Sequence, residues 1–405
     1  MSDPSSAMMD RSVETSLHAA DRAALARMHA VRPVWRGVAA ARDVIALPDR
    51  TILHAGPPVR PDAIAAPIVN SAVMAILFER WAADEGAARA MLMRGEVRLA
   101  PAQDFDAMVP LAAVLSPGMA VQIVTDAADA TNVTCSPLNG GMALAQRLGL
   151  CSREVLTHLR WMNGNLAATL EIIADRDIPL IEIADPALME GDDCHSRTSA
   201  ATRRLIEELA PRLGGDTPER RFLDRASAFF LNLWMAAMKC IAKAGEGEGS
   251  SIVTALGGNG VDCGVKLGGS GQRWFVAAAE PPEGNLLPGF QSSDRLGAIG
   301  DSALVDAMGF GAMTARSLLA DGATAAEAVQ LLPAAHPGFV RSRIRVGTVA
   351  RALVSGGMPL DVVLGVLDRK GQNGRIGGGI YRPPRDPFAA AVASLAPTTF
   401  QTQGI

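Results

Sequence analysis

Residues 245–279, GEGEGSSIVTALGGNGVDCGVKLGGSGQRWFVAAA, mark the point where the pattern of the chain changes. The Gly-Glu alternation of 245–249 has no apolar side chain to bury and reads as a flexible joint. Beyond it Ser251–Leu256, Cys263–Leu267 and Arg273–Ala279 read as three short strands, linked through the glycine runs 257–260 and 268–271. Those runs are either tight hairpin turns or loops whose N–H groups cradle an anion near Asn259, Lys266 and Arg273. Upstream, from Gly141 to Gly245, strand signals nearly vanish. Helical periods fit 142–148, 152–174, 198–213 and 217–244, the last opened by Thr217-Pro218-Glu219 as N-cap, N1 and N2. Further upstream, Thr15–Ala30 fits a short amphipathic helix ahead of an Arg32-Pro33 break. Strand character at 44–54, 97–99 and 120–125 then mixes with a mostly helical 62–94. Downstream, helices fit 302–320, 324–332, 342–355 and 359–367, and the chain closes on a glycine-rich loop, 371–379. The pattern predicts an α+β fold. Two mixed α/β domains, 31–140 and 246–405, flank a helical middle domain or insertion, 141–245, after an N-terminal tail and helix, 1–30.

Length and composition bound the function. At 405 residues, with 49% apolar and 20% charged types, the chain suits a soluble enzyme of two or three domains. Its net charge of −4, from 38 basic and 42 acidic residues, lacks the basic face that phosphate backbones need. Aromatics are scarce and Tyr381 is the single tyrosine, so base-stacking platforms are absent too. Nucleic acid is excluded as a main partner. The first fifteen residues hold no apolar signal core. The greasiest stretches, Ala66–Phe78 and Ala226–Ala242, are short or broken by polar residues, and read as buried helices rather than membrane spans. Five scattered cysteines without a C-x-x-C pair predict reduced thiols and a cytoplasmic protein.

The densest chemistry lies in Glu190-Gly-Asp-Asp-Cys-His-Ser-Arg-Thr198, just before a good helical period. His195 can donate to a polarised carbonyl or move a proton, with Asp192 or Asp193 orienting it. Arg197 can clamp an anion bidentately, and Ser196 and the helix N-terminus add donors. The plainer reading is a capping arrangement in which Asp and Ser cap the helix and Arg197 pairs with a nearby acid. His54 at a strand end, Asp301 at a helix start and Arg375 in the glycine-rich loop are further substrate-binding candidates. Each also has a structural reading: a hydrogen-bonded core histidine, a helix cap and a mobile tail. Metal binding at Asp192, Asp193 and His195 lacks a second ligand cluster, so no metal and no cofactor is expected. There is no Walker loop, no G-x-G-x-x-G after a strand and no G-x-S-x-G elbow. Cys194 beside His195 is the one opening toward a covalent nucleophile.

Ser196-Arg197-Thr198 echoes the Ser-x-Arg-Thr phosphate loop of aspartate and ornithine carbamoyltransferases. Their His-Pro-x-x-Gln element finds only His336-Pro-Gly-Phe339, without the Gln. A broader resemblance rests on stretches that recur in order: Leu53-His-Ala-Gly-Pro-Pro58, Phe78-Glu-Arg-Trp-Ala82, Gly191-Asp-Asp-Cys-His-Ser-Arg197, Phe229-Phe-Leu-Asn232, Ser251-Ile-Val-Thr254, Arg273-Trp-Phe275 and Gly300-Asp-Ser302. Together they resemble the YlbE/YahG-like family, over roughly residues 30–385. That family includes a subunit of oxamate carbamoyltransferase, of anaerobic allantoin breakdown and nitrogen metabolism. The enzyme splits oxalurate with phosphate into oxamate and carbamoyl phosphate. The resemblance implies a carbamoyl-transfer subunit, with an FdrA-like partner chain related to acyl-CoA synthetases and a third small subunit. A homo-oligomer stays open.

One stretch departs from the family. Where similar sequences tend to carry Cys-His-His-x-Asn-Ala-Val-Gly-Pro-Met-Gly-Gly, this chain has Ala102-Gln-Asp-Phe-Asp-Ala-Met-Val-Pro-Leu-Ala-Ala113. Loss of both histidines and three glycines would mean a changed substrate or lost activity if that loop supplies catalytic groups. Gln103, Asp104 and Asp106 could serve a different ligand. Two alternatives therefore stand beside carbamoyl transfer: a non-catalytic scaffold or regulatory subunit, and a stand-alone hydrolase or lyase of a ureido or cyclic amide compound.

Overall fold

The computed structural model describes residues 17–171, 176–318, 328–356 and 358–395. The polar tail expected over 1–12, and the helical expectations for 172–174, 319–320 and 324–327, lie outside them. The fold is α+β, built on four small sheets. In the first, β6 (Val133–Pro137), β5 (Ala120–Asp126), β1 (Pro33–Ala40) and β7 (Ile178–Pro179) run antiparallel in that spatial order. The second orders β10 (Phe275–Ala278), β9 (Asp262–Leu267), β8 (Val253–Asn259) and β12 (Ile299–Gly300). In the third, β14 (Arg375–Tyr381) lies between β11 (Glu283–Leu286) and β13 (Val362–Leu367). The fourth sets β2 (Thr51–His54) between β3 (Arg98–Pro101), parallel to it, and the two-residue β4 (Val114–Leu115), antiparallel.

The apolar run 229–242 becomes the spine of the molecule. Among the helices are α1 (Ala19–Ala30), α2 (Ala66–Phe78), α3 (Glu85–Met93), α4 (Arg153–Trp161), α5 (Leu180–Met189), α6 (Ser199–Leu209), α7 (Pro218–Arg225), α8 (Phe229–Lys243), α9 (Ala303–Ala307), α10 (Ala350–Val354) and α11 (Arg385–Ser394). Every residue of α8 from Phe229 to Ala242 is buried, which an all-round apolar helix requires. It packs between the first sheet, through β5 and β6, and the second, through β8. Phe230 stacks on Trp234, and Trp234 meets Phe310 and Phe339 edge-on. Each such ring withdrawn from water contributes about 2 kcal/mol. Among the described residues no helix is long and apolar enough to cross a membrane, and the five cysteines are free thiols.

Several local expectations are corrected. The stretch 359–367 is not a helix: Val362–Leu367 is strand β13, paired to β14. Its unbroken apolar run fits a buried strand as well as a buried helix turn, and periodicity alone does not separate them. The closing glycine segment is a loop only over 371–374, because Gly377–Gly379 lie inside β14. The run 257–260 is mostly strand: Gly257 to Asn259 belong to β8, and only Gly260 falls in the turn to β9. Glycine is needed there because a Cβ on Gly258 would sit 2.2 Å from Ala298 O, and one on Gly56 2.4 Å from Gly258 C. Of 217–244, Thr217 does cap α7, but the helix breaks at Ala226-Ser-Ala228 before α8 begins. Only residues 146–148 of 142–148, and Ala350–Val354 of 342–355, are helical. Strand β1 lies directly after Arg32, where only a break was expected.

Candidate functional site

The polar knot folds around Asp193. Its Oδ1 accepts the backbone N–H groups of His195 (2.8 Å) and Arg197 (2.9 Å), while Oδ2 accepts the Ser196 hydroxyl at 2.5 Å. Arg197 Nε lies 3.5 Å from the same carboxylate, and its side chain is 68% exposed. Asp192 turns the other way and accepts Ala201 N in the first turn of α6. Asp192 therefore caps α6, whereas Asp193 and Ser196 tie their own loop together, and neither carboxylate hydrogen-bonds the imidazole ring.

The partner of His195 is a residue the sequence reading did not single out. Its Nδ1 meets Asp306 Oδ2, on α9, at 2.5 Å, with both side chains buried. The other oxygen of Asp306 accepts Ala312 N (2.7 Å) and Val363 N (3.2 Å). Burial by itself would lower the His195 pKa, but the charge and hydrogen bond of Asp306, with Asp193 behind, carry it above the ordinary value. Burial in turn pushes the Asp306 carboxyl up, against the pull of His195. Gly311 makes room for the pair: its φ is +56°, and a Cβ there would lie 2.4 Å from Asp306 Oδ1 and 2.9 Å from His195 Cβ.

His195 faces a cavity of about 420 Å³. Ser196, Arg197, Thr198 and Ser199 line it on one side, Arg375, Gly378 and Gly365 of the third sheet on another, and Arg147, Pro110, Leu111 and Ser302 close it. Three arginines and a histidine thus share one cavity, and no Asp or Glu lines it among the described residues. The N-terminus of α6 opens here too. Thr198 stands at its N-cap without a side-chain capping bond, its hydroxyl being turned to Ser227 O at 3.2 Å. The helix dipole adds to the positive potential there, partly offset by Asp192 on Ala201 N. Cys194 is buried, and burial first, then Asp192 and Asp193, push its thiol well above the usual range. A thiolate nucleophile is thereby disfavoured.

The remaining candidates go elsewhere. Asp301 is wholly buried and is no helix cap: Oδ1 accepts Gly56 N (2.9 Å) and Gln103 Nε2 (2.7 Å), and Oδ2 accepts Val109 N (3.0 Å). Burial pushes its carboxyl up to about 7 against those bonds. His54 lies buried with Nδ1 2.8 Å from Ala55 O, and burial holds its pKa down to about 4. Asn259 serves the β8–β9 turn, its Oδ1 accepting Val261 N and Asp262 N and its Nδ2 donating to Pro57 O. Arg273 stacks its guanidinium over Phe275 at 4.6 Å. Of the ten candidates, the structure brings His195, Ser196, Arg197 and Arg375 to the cavity. His54, Asp301 and Asn259 lie along the close passage of Gly56 over β8, and Arg273 lies apart on the second sheet.

Comparison with known proteins gives the family. A family model described as oxamate carbamoyltransferase subunit AllG matches residues 97–302. The oxamate carbamoyltransferase subunit AllG of Escherichia coli (strain K12) is 31% identical, over 94% of this chain and 98% of its own length. The chain belongs to the AllG family. A second relative, the uncharacterized protein YahG of Escherichia coli (strain K12), is 28% identical over 95% of this chain and 87% of its own. A solved structure of a conserved protein of unknown function from Enterococcus faecalis V583 superposes with a TM-score of 0.85, at 27% identity, over 95% of this chain and 98% of that one. The architecture of that solved structure is therefore shared by this chain nearly end to end.

The stretch 102–113 is held by its own polar residues. Gln103 donates to Asp301 and to Leu256 O. Asp104 pairs with the buried Lys266 and accepts Trp274 Nε1 at 2.8 Å. Asp106 pairs with Lys243 at 2.5 Å. All three polar groups are spent on tying the stretch to α8 and the second sheet. Only Pro110 and Leu111 of this segment reach the cavity, and they are apolar.

Proposed function

We infer that this AllG-family chain carries the small-substrate site of a carbamoyl-transferring enzyme, and that the site takes a ureido or amide carboxylate of the oxalurate and oxamate kind. The observation that supports it is a single cavity in which three guanidiniums, hydroxyls and a carboxylate-backed imidazole converge with no acid in the lining. Its volume of about 420 Å³ suits a small-molecule site. In phosphorolysis of oxalurate, a phosphate oxygen bonds to the ureido carbonyl carbon and the bond from that carbon to the oxamate nitrogen breaks. The proton of hydrogen phosphate ends on the departing nitrogen. Negative charge grows meanwhile on the carbonyl oxygen, which needs fixed donors. Arg197 is the group to hold the carboxylate. His195, tied through Nδ1 to Asp306, has Nε2 left to donate to that oxygen or to carry the proton. A partner subunit, FdrA-like by the family's precedent, would cover the open side and exclude water.

Calorimetric titration of the purified chain with oxamate tests this. Binding is expected, weakened about 10- to 100-fold in Arg197→Ala and in His195→Gln, the range of a lost charge-assisted bond. A folded chain that binds none of oxamate, oxalurate or carbamoyl phosphate, alone or with its partner subunits, would turn the reading to a scaffold.

A further inference from the structure

Arg147 has no motif around it and, among the described residues, no carboxylate paired with it. It is only 9% exposed. Its Nη2 donates to Gly141 O at 2.9 Å and lies 3.5 Å from the Met142 sulfur, while its buried Nε–H meets no acceptor. Burial, reinforced by the charge of Arg375, pushes its pKa down to about 10. A guanidinium kept in the interior against both effects is expensive unless something supplies the opposite charge.

Arg375 has the same lack. Its Nε donates to Gly377 O at 2.8 Å, and no ion pair holds it among the described residues. It lies where two glycines leave space: a Cβ on Gly365 would be 3.3 Å from its Nε, and one on Gly378 3.0 Å from its Nη2. Arg197, by contrast, is partly compensated by Asp193. The cavity thus holds two positive charges without counter-charge, next to a third that has one.

We propose that Arg147 and Arg375 form a seat for a doubly charged oxyanion of the phosphate class, in the same cavity as the carboxylate position at Arg197 but apart from it. The seat deepens the transfer reading and rests on it for the identity of the anion. Arg147 is then a binding residue that sets selectivity between a dianion and a monocarboxylate.

The test is calorimetric titration of the full chain with inorganic phosphate and, separately, with oxamate, in wild type, Arg147→Met and Arg375→Met. Methionine keeps the apolar stem volume, and a thermal melt monitors folding. Each variant is expected to weaken phosphate about 10- to 100-fold while oxamate stays within about threefold. Should Arg147→Met fail to fold, Arg147→Lys and Arg375→Met carry the measurement, since lysine keeps the charge but loses the fork. Phosphate binding that survives every variant within about threefold overturns the seat and leaves the transfer reading standing. So does equal weakening of both ligands, which would make one shared site. Wild type that binds no phosphate up to about 10 mM also overturns it. Arginine-dependent phosphate binding without any oxamate binding supports the seat and counts against the carboxylate part of the transfer reading.

Discussion

Replacing Asp306 by asparagine removes one charge from the centre of the site and changes almost no volume. The carboxylate now accepts three donors, from His195 at 2.5 Å, Ala312 at 2.7 Å and Val363 at 3.2 Å. Asparagine offers one acceptor oxygen, so its amide N–H₂ must face a donor on one side. Leaving a buried donor unmet costs ~1–3 kcal/mol, and breaking a buried ion pair by altering one partner has a ceiling of ~3–5 kcal/mol. A loss of about 2–4 kcal/mol follows at pH 6. The sign of the pH dependence follows from His195, whose folded pKa is raised by Asp306. Its stabilising contribution is complete below the unfolded value of about 6.5 and fades as pH rises through the folded value. Asp306, itself raised by burial, adds a penalty to the wild type in the same direction. The stability difference between wild type and Asp306→Asn must therefore shrink between pH 6 and pH 9. Urea denaturation at the two pH values, followed by tryptophan fluorescence, measures it. An equal loss at both, or none at pH 6, would refute a charged His195–Asp306 pair.

Two further substitutions test neighbouring parts of the site. Gly311→Ala places a Cβ 2.4 Å from Asp306 Oδ1 at a φ of +56°, so it should lower stability by at least ~1 kcal/mol and weaken oxamate; unchanged melting and affinity would show that the pair tolerates displacement. Asp104→His removes the counter-charge of Lys266, whose side chain is 5% exposed. It should destabilise the chain by up to ~3–5 kcal/mol without changing oxamate affinity, and a gain in affinity would place this stretch in the binding site after all.

The parts of the fold that local chemistry decides were legible. The run 226–242 could only be buried for most of its length, Thr217-Pro218 could only open a helix, and the β-branched residues at 120–125 marked a strand. Where the deciding contact is distant, the reading failed. Val362–Leu367 becomes a strand because β14 lies beside it to pair with, and nothing within six apolar residues announces that partner. Gly377–Gly379 read as a loop because three glycines have no strand propensity. They form a strand because neighbouring backbones approach too closely for side chains: a Cβ on Gly379 would lie 2.2 Å from Glu283 O.

The site shows the same division. The knot at 192–197 concentrates polar residues in one short stretch, and local density is what a sequence displays. The residues that complete it are isolated instead. Arg147 is the single charged residue between Asp129 and Arg153, and Asp306 the single one between Asp301 and Arg316. A lone charge in a long apolar or neutral stretch is a weak motif but a strong energetic signal, since burial is expensive without a partner. Asp306 found its partner in His195, more than a hundred residues away in the chain. Arg147 has none among the described residues, and that remaining imbalance points to a ligand that brings its own negative charge.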